Sequence, residues 1–249
     1  LISIKKKDEI KRMIVASEIV SEALQAIKKA VAPGITTKAL EEIAEDIIRT
    51  RGGKPAFKGY KGFPASICTS VNDEVVHGIP SEEVVLKEGD IVSIDLGVIY
   101  KGYISDAAIT LPVGAISESA ARLLSVTKQA LFEGIAKAVP SNRVGDISHA
   151  IQSYVESKGY SVVRKFVGHG VGRRLHEEPQ VPNFGLPGEG IKLREGMTLA
   201  IEPMVNEGTH DVSIMEDGWT AKTKDGKLSA HFEHTILIKK NGPEILTKW

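Results

Sequence analysis

Cysteine is almost missing from this sequence: Cys68 is the single thiol in 249 residues. That excludes an internal disulfide and any cysteine-built zinc finger. An excess of charge is missing too, with 32 Lys and Arg against 32 Asp and Glu. Bulk electrostatics therefore gives no reason to expect binding to DNA or to an anionic membrane. No apolar run approaches the ~18 residues of a spanning helix. The N-terminal stretch LISIKKKDEIKRM lacks the apolar centre of a signal peptide. Together these absences fit a soluble cytoplasmic protein; a monomer is expected alongside, though none of these absences implies it. The chain starts at Leu1, so its true start is open.

What is present is a chain with 42% hydrophobic residues, enough core for one large domain or two small ones. Its most informative stretch is Gly89 to Thr110, GDIVSIDLGVIYKGYISDAAIT. Ile91, Ser93, Asp95 and Gly97 share one face of a strand; Ile104, Asp106, Ala108 and Thr110 share a face of the next. Alternation broken by Tyr100-Lys101-Gly102 signals a β-hairpin. A turn centred between Tyr100 and Lys101 sets Asp95 directly opposite Asp106, with Cβ atoms roughly 5 Å apart. Facing aspartates in apolar strands repel unless a cation lies between them. The plainer alternative is a pair of exposed turn-proximal aspartates.

Around this hairpin the pattern is helical. Helices are expected over Asp8–Val31, from Thr37 to before Gly52, over Ser117–Val139 and over Val144–Lys158, with a strand at Ala65–Ser70. The second half repeats the first. Pro33-Gly-Ile-Thr-Thr through Gly52 aligns without gaps on Pro140-Ser-Asn-Arg-Val through Gly159, 107 positions later. The same offset carries Lys87-Glu-Gly-Asp-Ile-Val-Ser-Ile-Asp95 onto Arg194-Glu-Gly-Met-Thr-Leu-Ala-Ile-Glu202. Asp106 has a counterpart in Glu233 after about twenty extra residues. We therefore expect a duplicated α+β unit, with halves of about 1–112 and 113–249. Two hairpins brought face to face would gather four carboxylates at the pseudo-twofold axis.

Four carboxylates cannot share a small site as anions without cations. A nitrogen ligand is available in Val167-Gly-His169-Gly-Val-Gly172, where flanking glycines let the backbone come close. Two Asp, two Glu and one His suit two divalent ions about 3.5–4 Å apart, with two carboxylates bridging. Oxygen-rich donors with one imidazole favour Mn, Fe or Co over a structural zinc. Two ions sharing a water make a hydroxide nucleophile near neutral pH, which means hydrolysis. Few cationic clamps accompany the ligands apart from Arg173-Arg174, so amides are favoured over phosphoesters. His77 and His176 lie in Gly/Pro-rich loops upstream of ligand strands, where sites are usually built, and could hydrogen-bond the scissile amide. His149, His210, His231 and His234 are read as ordinary surface or core histidines, and Cys68 as a small buried or pocket-lining residue.

At these residues the chain resembles the bacterial type I methionine aminopeptidases. The motifs are Asn72-Asp-Glu-Val-Val-His-Gly-Ile-Pro80, Asp95 ten residues before Asp106, Gly168-His-Gly-Val-Gly-Arg-Arg-Leu-His176, Ala200-Ile-Glu-Pro-Met204 and His231-Phe-Glu-His-Thr235. The resemblance covers nearly the whole chain. It implies a single catalytic domain over 1–249 with the pita-bread fold: antiparallel sheets covered by helices around a dinuclear centre. It implies that Asp95 chelates one metal, that Asp106 and Glu233 bridge, and that His169 and Glu202 complete the other. Glu202 would also shuttle a proton. His176 would polarise the scissile carbonyl, and His77 would contact the nitrogen beyond the cleaved bond. The methionine pocket would be lined by Tyr60, Phe63, Cys68 and Trp219, with Phe57 and Leu175 where some relatives differ.

The implied partners are N-terminal Met peptides and nascent chains with a small second residue. A transient ribosome contact at Lys54, Lys58 and Lys61 is the sharper reading of a loop we take as simply solvated. Two alternatives stand beside this one. An X-Pro dipeptidase or aminopeptidase P resembles this ligand set but carries an extra N-terminal domain for which the chain has no room. A catalytically dead binding protein on the same scaffold would be expected to have lost ligands.

Overall fold

The computed structural model describes residues 2–249; Leu1 of the expected 1–249 domain lies outside them. The first half runs α1 (Lys7–Ala30), α2 (Thr37–Thr50), β1 (Lys54–Pro55), β2 (Cys68–Val71), β3 (Glu74–Val76), β4 (Ile91–Tyr100) and β5 (Tyr103–Pro112). The second half opens with α3 (Glu118–Ala136), α4 (Val144–Ser157), β6 (Ser161–Val162), β7 (Gly168–Gly170) and β8 (Glu177–Val181). It continues through β9 (Thr198–Ile201), β10 (Met204–Asn206), β11 (Val212–Ile214) and β12 (Ala221–Thr223) to β13 (Ser229–His231), β14 (His234–Lys239) and β15 (Gly242–Ile245). Every strand pairing is antiparallel. This is the pita-bread arrangement: β1, β4, β2 and β5 form one sheet in the first half, the second half forms β13-β10-β6 and β15-β14-β9-β7-β8, β3 joins β11 and β12 across the halves, and the helices pack over the strands.

Local chemistry accounts for the helix starts. The Thr36 side chain accepts the Ala39 amide at 3.1 Å, and the Ser117 side chain accepts the Ala120 amide at 3.1 Å. Each satisfies a backbone donor that the first helical turn leaves free. The expected strand at Ala65–Ser70 is shorter and later, at Cys68–Val71.

The duplication read from sequence extends into backbone geometry. α2 and α4 begin and end at positions separated by the same offset. So do the isolated bridges Thr36–Val85 and Arg143–Lys192. The pairing of Lys54 with Ile99 recurs as Ser161 with Asn206. One continuous apolar cluster holds Leu24 and Ile27 of α1, Leu40 of α2, Leu123 and Leu131 of α3, and Ile147 and Ile151 of α4, against Ile94, Leu96, Leu199 and Ile236 of the strands.

The β4–β5 hairpin corrects one expectation. Its turn is the two-residue Lys101-Gly102, with φ of 46° and 80°, so Tyr100 pairs with Tyr103. Positive φ at both turn residues marks the primed turn that matches the strands' twist. The turn centre falls one residue later than expected. Asp95 therefore faces Ala108, and Asp106 faces Gly97. The aspartates are diagonal neighbours rather than a direct pair. A slip of two preserves the face, so both still point the same way.

Side-chain and backbone hydrogen bonds join the two halves. Thr110 Oγ1 accepts the His231 amide and donates to the His231 carbonyl, both at 2.8 Å. The Glu233 amide donates to the Ala108 carbonyl at 2.9 Å. No helix among the described residues is long and apolar enough to cross a membrane.

Candidate metal centre

The centre lies where β4 and β5 of the first half meet the interrupted strands of the second. Asp95 and Asp106 come from the hairpin. Glu202 sits in the break between β9 and β10, and Glu233 in the break between β13 and β14. The register on either side, Ile201 with His234 and Met204 with His231, sets the two glutamates across from each other. His169 is the middle residue of β7. A Cβ on Gly168 would fall 2.5 Å from the Ala200 carbonyl, and one on Gly170 2.4 Å from the Glu178 carbonyl. Only glycine lets β7 wedge between its neighbours and deliver the imidazole.

The donor atoms converge. His169 Nε2 lies 3.3 Å from Glu202 Oε1 and 3.9 Å from Asp106 Oδ2. Donor atoms of Asp106, His169 and Glu233 all lie within 4.8 Å of one another. His169 Nδ1 hydrogen-bonds the Gly170 carbonyl at 3.0 Å. A carbonyl only accepts, so Nδ1 carries the proton and Nε2 turns a lone pair toward the carboxylates.

The electrostatics of the cluster suits a cation. Asp95 Oδ1, Asp106 Oδ1 and Glu233 Oε1 are buried without a hydrogen-bond partner. Burial, reinforced by the Glu202 carboxylate, pushes Asp95 up to about 7. Burial likewise drives Asp106, Glu202 and Glu233 well above the usual carboxylate range. The same burial lowers His169 to about 3, keeping it a neutral ligand. Orphaned carboxylate oxygens around one bare imidazole nitrogen are the donor set that a divalent ion satisfies.

A cavity of about 690 Å³ opens over these residues. Phe57, Tyr60, Phe63, Cys68, Leu175 and Trp219 line it, together with His77 and His176. Phe63 and Trp219 meet edge to face at 5.1 Å. Burial raises the Cys68 thiol well above its ordinary range, so it acts as an apolar wall. His77 has a φ of 63° and stands edge-on to Phe166 at 5.3 Å. Positive φ is uncommon outside glycine and concentrates at functional sites. Burial lowers His77 and His176 each to about 4, leaving both neutral.

Sequence reasoning missed one residue here. His231, taken as an ordinary histidine, is 1% exposed, and its Nε2 lies 3.4 Å from Glu202 Oε2. Its signal was available: in an extended run, a residue two before Glu233 shares its face. His234 points the other way and stacks on Trp249 at 4.3 Å. His149 and His210 are exposed.

The loop bearing His176 is held from the N-terminal arm. Lys5 Nζ donates to Glu177 Oε2 at 2.6 Å, and both side chains are buried. Glu177 Oε1 accepts the Arg173 and Arg174 amides at 2.7 and 3.1 Å. Arg173 is tied up with Glu9, while Arg174 lines the cavity.

Helix-covered antiparallel sheets enclosing buried carboxylates and imidazoles are the build of a pita-bread metallopeptidase. The chain belongs to metallopeptidase family M24, whose model matches residues 11–240. Membership implies divalent metal ions. A methionine aminopeptidase from Clostridium acetobutylicum is 56% identical over 99% of both chains. The crystal structure of a methionine aminopeptidase from Thermotoga maritima superposes with a TM-score of 0.99 at 53% identity, each chain fully covered. A prolidase from Pyrococcus furiosus is more distant, with a TM-score of 0.81 at 26% identity over 99% of this chain and 65% of that one.

Proposed function

We propose that this chain is a methionine aminopeptidase of the bacterial type I class, removing the initiator methionine from peptides and nascent chains with a small second residue. Convergence of Asp95, Asp106, His169, Glu202 and Glu233 beneath an apolar cavity is the observation that carries this reading. Both halves contribute ligands, so they act as one catalytic domain. Asp95 would hold one divalent ion, Asp106 and Glu233 would bridge, and His169 and Glu202 would complete a second. When bound, such a pair (Mn, Fe or Co) supplies an acidified water and a Lewis acid for the scissile carbonyl.

The protein's own groups do the rest. Glu202, its pKa raised by burial, would accept a proton from the attacking water and pass it to the leaving amine. His176 donates a hydrogen bond to the scissile carbonyl oxygen as negative charge develops there. His77 contacts the nitrogen beyond the cleaved bond. Tyr60, Phe63, Cys68 and Trp219 receive the methionine side chain, and the loops bearing His77 and His176 crowd out a large second residue. Lys58 pairs with Glu45 at 2.9 Å and Lys61 lines the cavity, which favours a solvated loop over a ribosome contact.

The test is hydrolysis of Met-Gly-Xaa against Gly-Pro-Xaa peptides with added Mn(II) or Co(II). Release of methionine from the first alone is expected. Preferential cleavage of Gly-Pro-Xaa would transfer the chain to the X-Pro peptidases, and inactivity on both would make it a binding protein.

A further inference from the structure

His176 and Tyr60 are joined by a hydrogen bond of 2.8 Å between the imidazole Nδ1 and the phenol oxygen. The sequence offers Tyr60 only as a wall of the methionine pocket. We propose that Tyr60 is also a positioning residue, whose hydroxyl donates to His176 Nδ1 and so fixes the tautomer that carries its proton on Nε2.

The argument starts from the imidazole. A neutral histidine has one donor nitrogen and one acceptor nitrogen, and what the first nitrogen meets decides which is which. On the proposed function, which this inference deepens, His176 must donate to the scissile carbonyl. With Nδ1 turned to the phenol, only Nε2 can do so. Nδ1 must then be bare, and a fixed donor beside it favours that tautomer over the other. Tyr60 supplies an O–H at hydrogen-bond distance. The reverse arrangement, Nδ1–H donating to the phenol oxygen, would leave Nε2 unable to donate to anything.

Both partners are held, so their approach is a property of the fold. Tyr60 sits in a loop closed on itself. The Tyr60 amide donates to Phe57, the Phe63 amide to Tyr60, and the Gly59 amide to Phe63, at 2.8–2.9 Å. Lys61 in that loop has a φ of 50°, a conformation a lysine adopts only where its surroundings impose it. The Ala56 amide ties the start of the loop to the Gly97 carbonyl of β4, two residues beyond Asp95. Opposite, the His176 loop is capped by the Glu177 carboxylate that Lys5 anchors. The ring of His176 also stands edge-on to that of His169, with centroids 4.2 Å apart, which limits its rotation. Two rigid loops, one from each half, thus meet at this hydrogen bond.

Tyr60→Phe separates the two roles of the residue, because it keeps the ring that lines the pocket and removes only the donor. The readout is the two-bond ¹H–¹⁵N histidine spectrum of the protein loaded with diamagnetic Zn(II), with His176 assigned by its loss in His176→Gln. The native protein should show His176 in the Nε2–H form alone. Tyr60→Phe should show both tautomers, and its kcat on a Met-Gly peptide should fall about 2–10-fold, the worth of one ordinary hydrogen bond, with KM unchanged. A native spectrum with Nδ1 protonated overturns the proposal without any variant. A Tyr60→Phe protein that keeps both tautomer and kcat, or that changes KM alone, makes Tyr60 a pocket wall and nothing more. If the native enzyme cleaves no Met peptide, the functional reading fails, while the spectrum still decides the tautomer.

Discussion

Thr235 clasps the backbone of Asp106 across the junction of the two halves. Its hydroxyl accepts the Asp106 amide at 3.0 Å and donates to the Asp106 carbonyl at 2.8 Å. An aspartate of the candidate metal centre, from the first hairpin, is thereby positioned by a side chain from the second half. Thr235 is fully buried, so water cannot replace it. Thr235→Val keeps the shape and removes both bonds, leaving buried backbone groups bare at a cost of about 1–3 kcal/mol. At roughly 2–4 °C per kcal/mol for a chain of this size, Tm should fall by about 2–12 °C. Divalent-metal affinity should fall with it, while Thr235→Ser should retain most of both. Thermal melts and calorimetric metal titration check this; a Val variant with native Tm and affinity would mean that the clasp positions nothing.

Asp106→Ala and Glu233→Ala should each abolish more activity than Asp95→Ala. Asp106 and Glu233 are the most deeply buried of the four acids and share a neighbourhood with His169. A ligand that serves two ions disrupts the whole cluster when lost. Metal titration is the decisive measurement. Two-metal binding of native stoichiometry in the Asp106→Ala protein would refute the bridging role.

His176→Ala should lower kcat by about 10²–10³-fold with little change in KM, since a donor used mainly in the transition state has that signature. Its neutral state makes it a donor and not a permanent charge. A rise in KM alone would reduce His176 to a substrate contact.

Much of this was legible because duplication leaves a gapless trace. The 107-residue offset that aligned Asp95 with Glu202 also matched α2 to α4. His169 was legible through its two glycines, whose absent side chains make room for neighbouring backbone. The hairpin register was not, because it depends on Lys101 adopting a positive φ, which no pattern of apolar residues encodes. Nor was the place of the twenty-residue insertion. Its hairpin of β11 and β12 pairs with β3 of the first half, Ala221 opposite Val76, and this carries Trp219 over to the cavity near His77. Such a long-range pairing has no local signature. His231 is legible only through the strand alternation that sets it on the face of Glu233, inside a motif dominated by the glutamate.

Metal should stabilise the protein, and by more at neutral than at acid pH. Asp95 has a folded pKa near 7 in the metal-free protein, above its ordinary 3.8. A raised carboxylate binds its proton more tightly when folded. Its contribution is therefore fully present below about 4 and is lost as pH rises through about 7, so the metal-free centre weakens across that window. Asp106, Glu202 and Glu233 are shifted the same way. His169 runs opposite: its folded pKa, near 3, lies below the ordinary 6.5, so its contribution is present above about 6.5 and is lost as pH falls toward 3. Comparing metal-loaded with chelated protein at each pH cancels the groups remote from the centre. Ions that bind only the folded state add about 2.7 kcal/mol at a hundred-fold excess over Kd. That corresponds to a Tm rise of roughly 5–11 °C at neutral pH. Near pH 5 protons compete for the same carboxylates, so the rise should shrink. The measurement is a pair of melts, with chelator and with Mn(II), at each of pH 7.5 and about pH 5, in about 0.15 M salt, where long-range charge effects are screened. A Tm indifferent to metal at both pH values would mean that these residues bind no ion. A rise that persists in the Asp106→Ala, Glu233→Ala double variant would put the ion elsewhere in the chain.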